Sequence, residues 1–121
     1  MVQAYYTSYT AQKLTQRELL VLAEIGDDAI DSASSFVSYM NESYGFSKSS
    51  VWYNLNKLRE LGLLEFEPGS ELRLTANGIA KHTALGSERS RLIDLFSSRF
   101  LAGLDKQGSL GFRGEFERVH A

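Results

Sequence analysis

The chain has 121 residues, 43% hydrophobic and 23% charged, enough apolar material for one core with room for an added arm. Its net charge of −2 weighs against a uniformly basic surface, zero Cys excludes disulfides and thiolate metal sites, and two distant His residues disfavour zinc. No apolar run is long enough to span a bilayer, and the first ten residues lack a signal peptide's basic flank and apolar stretch, so a cytoplasmic location without membrane contact is expected.

The acid is concentrated early. Met1 to Phe46 carries two basic and six acidic residues, Ser47 to Leu85 five against four, and Gly86 to Ala121 six against five. A local basic face is therefore available later in the chain. The opening tyrosines, Tyr5, Tyr6 and Tyr9, suit either a core or a subunit interface. Thr15 and Glu18 form a capping-box pattern, which predicts a first helix burying Leu19, Leu22, Ala23 and Ile25 and stopping at Gly26. Asp27 to Ile30 reads as a short break with one or two residues of strand. A second helix starts near Asp31 or Ser32, with Ala33, Phe36, Val37, Met40 and Tyr44 at helical spacing and Gly45 as its end.

Ser47 is a natural N-cap for a third helix, and Phe46 with Val51 fits a hydrophobic staple. Val51, Leu55, Leu58 and Leu61 or Leu63 line its inner face, and Gly62 closes it. Two alternating runs, Leu64 to Glu67 and Glu71 to Leu74, joined through Pro68, Gly69 and Ser70, predict a hairpin. A three-residue loop sets Leu64 opposite Leu74, Glu65 opposite Arg73, Phe66 opposite Leu72 and Glu67 opposite Glu71. Arg73 is then expected to pair with Glu65, an exposed pair worth at most ~1 kcal/mol. Three acids and one base leave the outer face of the hairpin acidic.

Thr75 caps a fourth helix, expected to continue past an interruption near Gly86 to about Leu104. Leu92, Phe96, Phe100 and Leu104 recur every four residues, with Ile93 and Leu101 beside them. Such a stripe either packs back on its own domain or joins two subunits. Too much Leu and Phe is present for a small core to cover, so Leu92, Ile93, Phe96, Phe100 and Leu104 are expected at a dimer interface. Asp105 to Ala121 holds three glycines and is expected to be a flexible tail, with Phe112, Phe116 and Val119 suited to a short amphipathic turn.

The expected fold is mainly α with a small β-hairpin: a winged helix-turn-helix over residues 1–85, a helical arm over 86–104 and a tail over 105–121. The run from Ser50 to Leu64, followed by Leu74-Thr75 and Gly78, resembles the PadR-like and MarR-like regulators of bacteria and archaea. Trp52, Leu55, Leu58 and Gly62 keep the aromatic, Leu, Leu, Gly spacing of the PadR-like third helix. The Leu-Thr-x-x-Gly that ends the hairpin is shared by both families. The resemblance covers about Leu14 to Leu85. It implies a dimeric transcriptional regulator that binds double-stranded DNA and dimerises through helices outside the DNA-binding unit.

With Val51, Leu55 and Leu58 inward, the third helix is expected to present Lys48, Ser49, Ser50, Tyr53, Asn54, Asn56 and Lys57 outward, behind Ser47 at its start. Asn pairs with adenine, Ser hydroxyls serve any base, and Lys meets guanine or phosphate. A solvated face is the plainer reading of any polar stripe. Ser and Asn are mediocre helix formers, however, and a bland surface favours Glu, Lys and Ala. Trp52 reads as a core or subunit contact. Lys13, Arg17, Arg59 and Lys81 are possible phosphate contacts that read first as solvated charge.

His82 and His120 lack a nucleophile partner, and Asp27, Asp28 and Asp31 lack the ligand series of a calcium loop, so neither enzyme activity nor a cofactor is expected. Two functions remain: a dimeric DNA-binding regulator, and a protein–protein interaction module that uses the acidic hairpin.

Overall fold

The computed structural model describes residues 14–26 and 29–110, with side chains as far as 104. In α1 (Gln16–Ile25) the Thr15 hydroxyl accepts from the Glu18 amide at 3.1 Å, while Glu18 Oε1 accepts from the Thr15 amide at 2.8 Å. This reciprocal cap lets Glu18 stay buried with its carboxylate engaged. Ser32, Ser47 and Thr75 cap α2 (Ala33–Tyr44), α3 (Lys48–Glu60) and α4 (Ala76–Leu85), each accepting from the amide three residues on. At the end of α3 the Leu63 amide donates to the Leu58 carbonyl at 3.0 Å and the Gly62 amide to the Arg59 carbonyl at 2.9 Å. That is a Schellman pair, and it requires the positive φ of 79° that Gly62 adopts.

Among the described residues the protein is mainly helical, five helices with one two-stranded antiparallel sheet. Strands β1 (Leu64–Glu65) and β2 (Arg73–Leu74) pair Leu64 with Leu74 and Glu65 with Arg73, the expected register. Ladder pairing then stops, and the expected Phe66–Leu72 pair is not formed. Leu72 exchanges both main-chain hydrogen bonds with Ile30, at 2.8 and 2.9 Å, on the side of β2 away from β1. The bond that would close a Phe66–Leu72 pair runs from the Glu67 amide to the Glu71 carbonyl, but that amide donates to Ser70 Oγ at 3.0 Å. The Phe66 carbonyl accepts from Arg59 Nη1 at 3.1 Å. The loop turns at Glu67–Ser70, with Pro68 and then Gly69 at φ 78° as a type II turn demands. Arg73 pairs with its neighbour Glu71 at 3.1 Å rather than with Glu65. Both side chains are more than half exposed, and the reach along one strand is as short as the reach across.

The core lies where α1, α2 and α3 meet under the hairpin. Leu20, Leu22, Val37, Met40, Val51, Leu55, Leu58 and Leu72 are essentially sealed from solvent. Phe66 and Leu74 close the hairpin side. Gly78 shows how tight that closure is: a Cβ there would stand 2.1 Å from the Leu63 carbonyl oxygen. Thr75 completes the corner, its amide donating to the Leu63 carbonyl at 3.0 Å and its hydroxyl to the Gly62 carbonyl at 2.6 Å.

The last helix, α5 (Glu88–Leu110), packs on α1 and α2. It corrects the expected dimer stripe. Leu92 and Phe96 are buried in the chain's own core, and Ile93 packs partly buried against it. Phe96 meets Phe46 edge-on at 5.6 Å, and Phe46 stacks on Tyr44 at 5.7 Å. The α4–α5 joint is fixed by His82, whose Nδ1 lies 2.9 Å from the Leu22 carbonyl and whose Nε2 lies 3.0 Å from Arg89 Nη1. A carbonyl accepts and a guanidinium donates, so the ring is the neutral tautomer protonated on Nδ1. Beyond Phe96 the domain surface falls away. Phe100 is half-buried beside Gly45, while Leu101 and Leu104 are exposed. A cleft of about 380 Å³ opens there, lined by Arg17, Phe46, Phe96, Arg99 and Phe100 among others.

Residues 105–110 continue α5, which corrects the expectation of a loose tail from Asp105. No proline interrupts this stretch, and an isolated glycine costs a helix only about 1 kcal/mol. The tail after Leu110, with Phe112, Phe116 and Val119, lies outside the described residues, as do Tyr5, Tyr6, Tyr9 and Lys13. Tyr39 and Tyr44 both donate to the Glu24 carboxylate, tying α1 to α2. Burial first, and then the adjacent carboxylate, push both phenols above their ordinary range.

Candidate functional site

Helix α3 owes its two faces to spacing. Val51, Leu55 and Leu58 anchor it inward, each with no exposed surface. Opposite them Lys48, Ser49, Tyr53, Asn56 and Lys57 stand exposed, as the sequence pattern required. Tyr53 is 64% exposed, the most exposed of the large apolar side chains among the described residues. Among the described residues neither Lys48 nor Lys57 forms a salt bridge. The face thus offers hydroxyls, an amide and uncompensated ammonium groups, with one carboxylate, Glu60, at its far end.

Asn54 does not belong to this face. It is 7% exposed, and its Oδ1 lacks a hydrogen-bond partner among the described residues. Its sequence position carries the signal: it lies three residues after Val51 and four before Leu58, hence on the inner stripe. Ser47 and Ser50 are spent on the helix start. The Ser47 hydroxyl accepts from the Ser50 amide at 3.2 Å, and the Ser50 hydroxyl donates to the Ser47 carbonyl at 2.9 Å. Ser50 also accepts from Arg17 Nη1 at 3.3 Å, and the Arg17 guanidinium sits 4.0 Å above the Phe46 ring. Arg17 therefore reaches the start of α3 from α1, a placement its lone position in the sequence could not convey.

Arg59 is the other residue whose role the sequence left open. Its guanidinium lies 4.3 Å above the Phe66 ring, which also meets Trp52 at 6.4 Å. Nη1 donates to the Phe66 carbonyl, and Nη2 donates to Asn56 Oδ1 at 3.0 Å. Arg59 is thus a brace between α3 and the hairpin. Trp52, half-buried on the same seam, is a packing residue.

The outer face of the hairpin is acidic. Glu65, Glu67 and Glu71 are exposed, and Arg73, the sole base beside them, is held by Glu71. Across the domain, no helix among the described residues is long and apolar enough to cross a membrane. No family model matches the chain, and no curated protein or solved structure matches it.

Proposed function

We propose that this chain is a winged-helix transcriptional regulator that binds double-stranded DNA in a sequence-specific way, with α3 in the major groove. The observation that carries the reading is the outer face of α3, where Ser49, Tyr53 and Asn56 stand exposed between Lys48 and Lys57. Hydroxyl and amide groups read base edges, while the two ammonium groups and the phenol meet the backbone. The hairpin is the wing of this arrangement, and its carboxylates keep it off the phosphates. A salt titration on random duplex DNA tests the reading. Affinity should fall steeply as salt rises, with a slope set by the phosphates neutralised. Absence of measurable binding at low salt would overturn it.

The working form in this reading is a homodimer joined through the C-terminal half of α5. Leu101 and Leu104, 59% and 46% exposed, support this, with Phe100 beside them. Two copies related by a two-fold axis would favour an inverted-repeat site. A solution mass of one chain, unchanged in Leu104→Glu, would remove the dimer from the proposal.

A second reading rests on the three exposed carboxylates of the hairpin, which suit a basic protein surface as partner. The same titration separates the two, because a protein-binding module has no reason to hold random DNA at low salt.

A further inference from the structure

We infer that Arg59 presets the amide of Asn56 so that this position of α3 reads guanine rather than adenine. The inference rests on the DNA-binding reading and deepens it to one base contact. Three contacts fix Arg59: its guanidinium over the Phe66 ring at 4.3 Å, Nη1 to the Phe66 carbonyl at 3.1 Å, and Nη2 to Asn56 Oδ1 at 3.0 Å. Phe66 is buried, so the platform beneath the guanidinium is part of the core.

The consequence falls on Asn56. A free asparagine rotates its amide to suit the base it meets, and its oxygen and nitrogen together match the donor and acceptor of adenine. Here the oxygen is already engaged by a cation. Turning the amide over would set its N–H groups against the N–H groups of Arg59 and lose a hydrogen bond to a charged group. Among the described residues Nδ2 has no partner, so both of its hydrogens remain to be given. A base edge that offers only acceptors suits such a group, and in the major groove guanine offers two, O6 and N7. The adenine N6 amino group, approaching Oδ1, would meet the positive charge of Arg59 beside it. Cytosine, which presents the donor N4, is the worst match. Thymine, with the single acceptor O4, is intermediate.

Selection from a randomised duplex pool with the full chain tests this. At one position of the bound site the unaltered protein should favour guanine over adenine about tenfold, equivalent to about 1.4 kcal/mol. Asn56→Ala should erase the preference at that position and leave the others. Arg59→Leu, which keeps an apolar group over Phe66 but gives no hydrogen bond, should bring adenine level with guanine. Asn56→Asp does not touch the brace on Phe66; its carboxylate accepts only, and it should select cytosine there. Adenine dominance at the Asn56-dependent position, no position sensitive to Asn56→Ala, or an unchanged guanine-to-adenine ratio in a folded Arg59→Leu protein would each overturn the inference. Should Arg59→Leu fail to fold, the Asn56→Asp swap decides. An unaltered protein that enriches no sequence and holds no DNA at low salt overturns the DNA reading, and this inference with it. Binding with another base at that position sinks the inference alone.

Discussion

On the outer face of α3, Ser49, Tyr53, Asn56 and Lys57 present hydroxyls, an amide and an ammonium group. On the outer face of the hairpin, Glu65, Glu67 and Glu71 present carboxylates, with Arg73 held by one of them. The two faces are braced together by Arg59, so they differ in chemistry rather than in how firmly they are held. The inner faces also differ. That of α3 is one stripe of a helix, Val51, Leu55 and Leu58, whereas the hairpin lays Leu64, Phe66, Leu72 and Leu74 over the same core as a lid. In the proposed DNA-binding reading the contrast is a division of labour, with the hairpin stabilising the domain and α3 carrying recognition.

That division is broken most directly at Leu72. Its side chain has no exposed surface, and its main chain ties β2 to Ile30. Leu72→Ala should destabilise the fold by roughly 2–5 kcal/mol, from lost burial plus the cavity left behind. Denaturant unfolding measures this. A loss below about 1 kcal/mol would show that the hairpin is not a structural lid. Gly78→Ala comes next, at roughly 1–3 kcal/mol, because the new Cβ would press on the Leu63 carbonyl and the corner must shift. Neither change touches the outer face of α3. In folded protein the salt dependence of DNA binding should stay as it was.

Lys57→Ala tests the other side of the comparison. The residue is exposed and unpaired among the described residues, so its removal should leave stability within about 0.5 kcal/mol. DNA binding should weaken across all sequences, with the salt slope smaller by about 1. An unchanged slope together with altered sequence preference would move Lys57 from phosphate contact to base contact.

Much of this architecture is legible in the chain because local chemistry fixes it. The capping hydroxyls Thr15, Ser47 and Thr75, the stop at Gly62 and the first two pairs of the hairpin follow from side-chain reach and backbone geometry. What escaped was decided by competing contacts and by the extent of the core. The Phe66–Leu72 pair is lost at the turn, where Ser70 Oγ takes the Glu67 amide. Leu92 and Phe96 carry the same four-residue recurrence as Phe100 and Leu104. Only the extent of the domain surface separates those that enter the core from those that do not. On α3, the outward set expected opposite Val51, Leu55 and Leu58 includes Asn54, although its spacing from Val51 and Leu58 is that of a core residue. Polarity says what a side chain prefers, and spacing says where the helix puts it. At Asn54 the spacing prevailed, leaving inside a carbonyl oxygen without a hydrogen-bond partner among the described residues.

The smallest expected effect belongs to the carboxylates of the hairpin, and it is the most informative about the comparison. Glu65→Lys, Glu67→Lys and Glu71→Lys together reverse the sign of an exposed face without touching the core. If this face stands off the phosphates, the gain in non-specific affinity comes only through solvent. Such a gain should be a few-fold at low salt and should fade as the screening length shrinks towards ~8 Å at physiological salt. If the carboxylates instead made direct contacts, to an amino group of a base for example, the triple change would weaken specific binding at every salt concentration. A large gain that persists at physiological salt would mean that the hairpin already lies against the backbone and that its charge restrains affinity. Only the first outcome leaves the two faces with separate tasks, because only then does reversing the hairpin's charge alter how DNA is approached without altering how it is held.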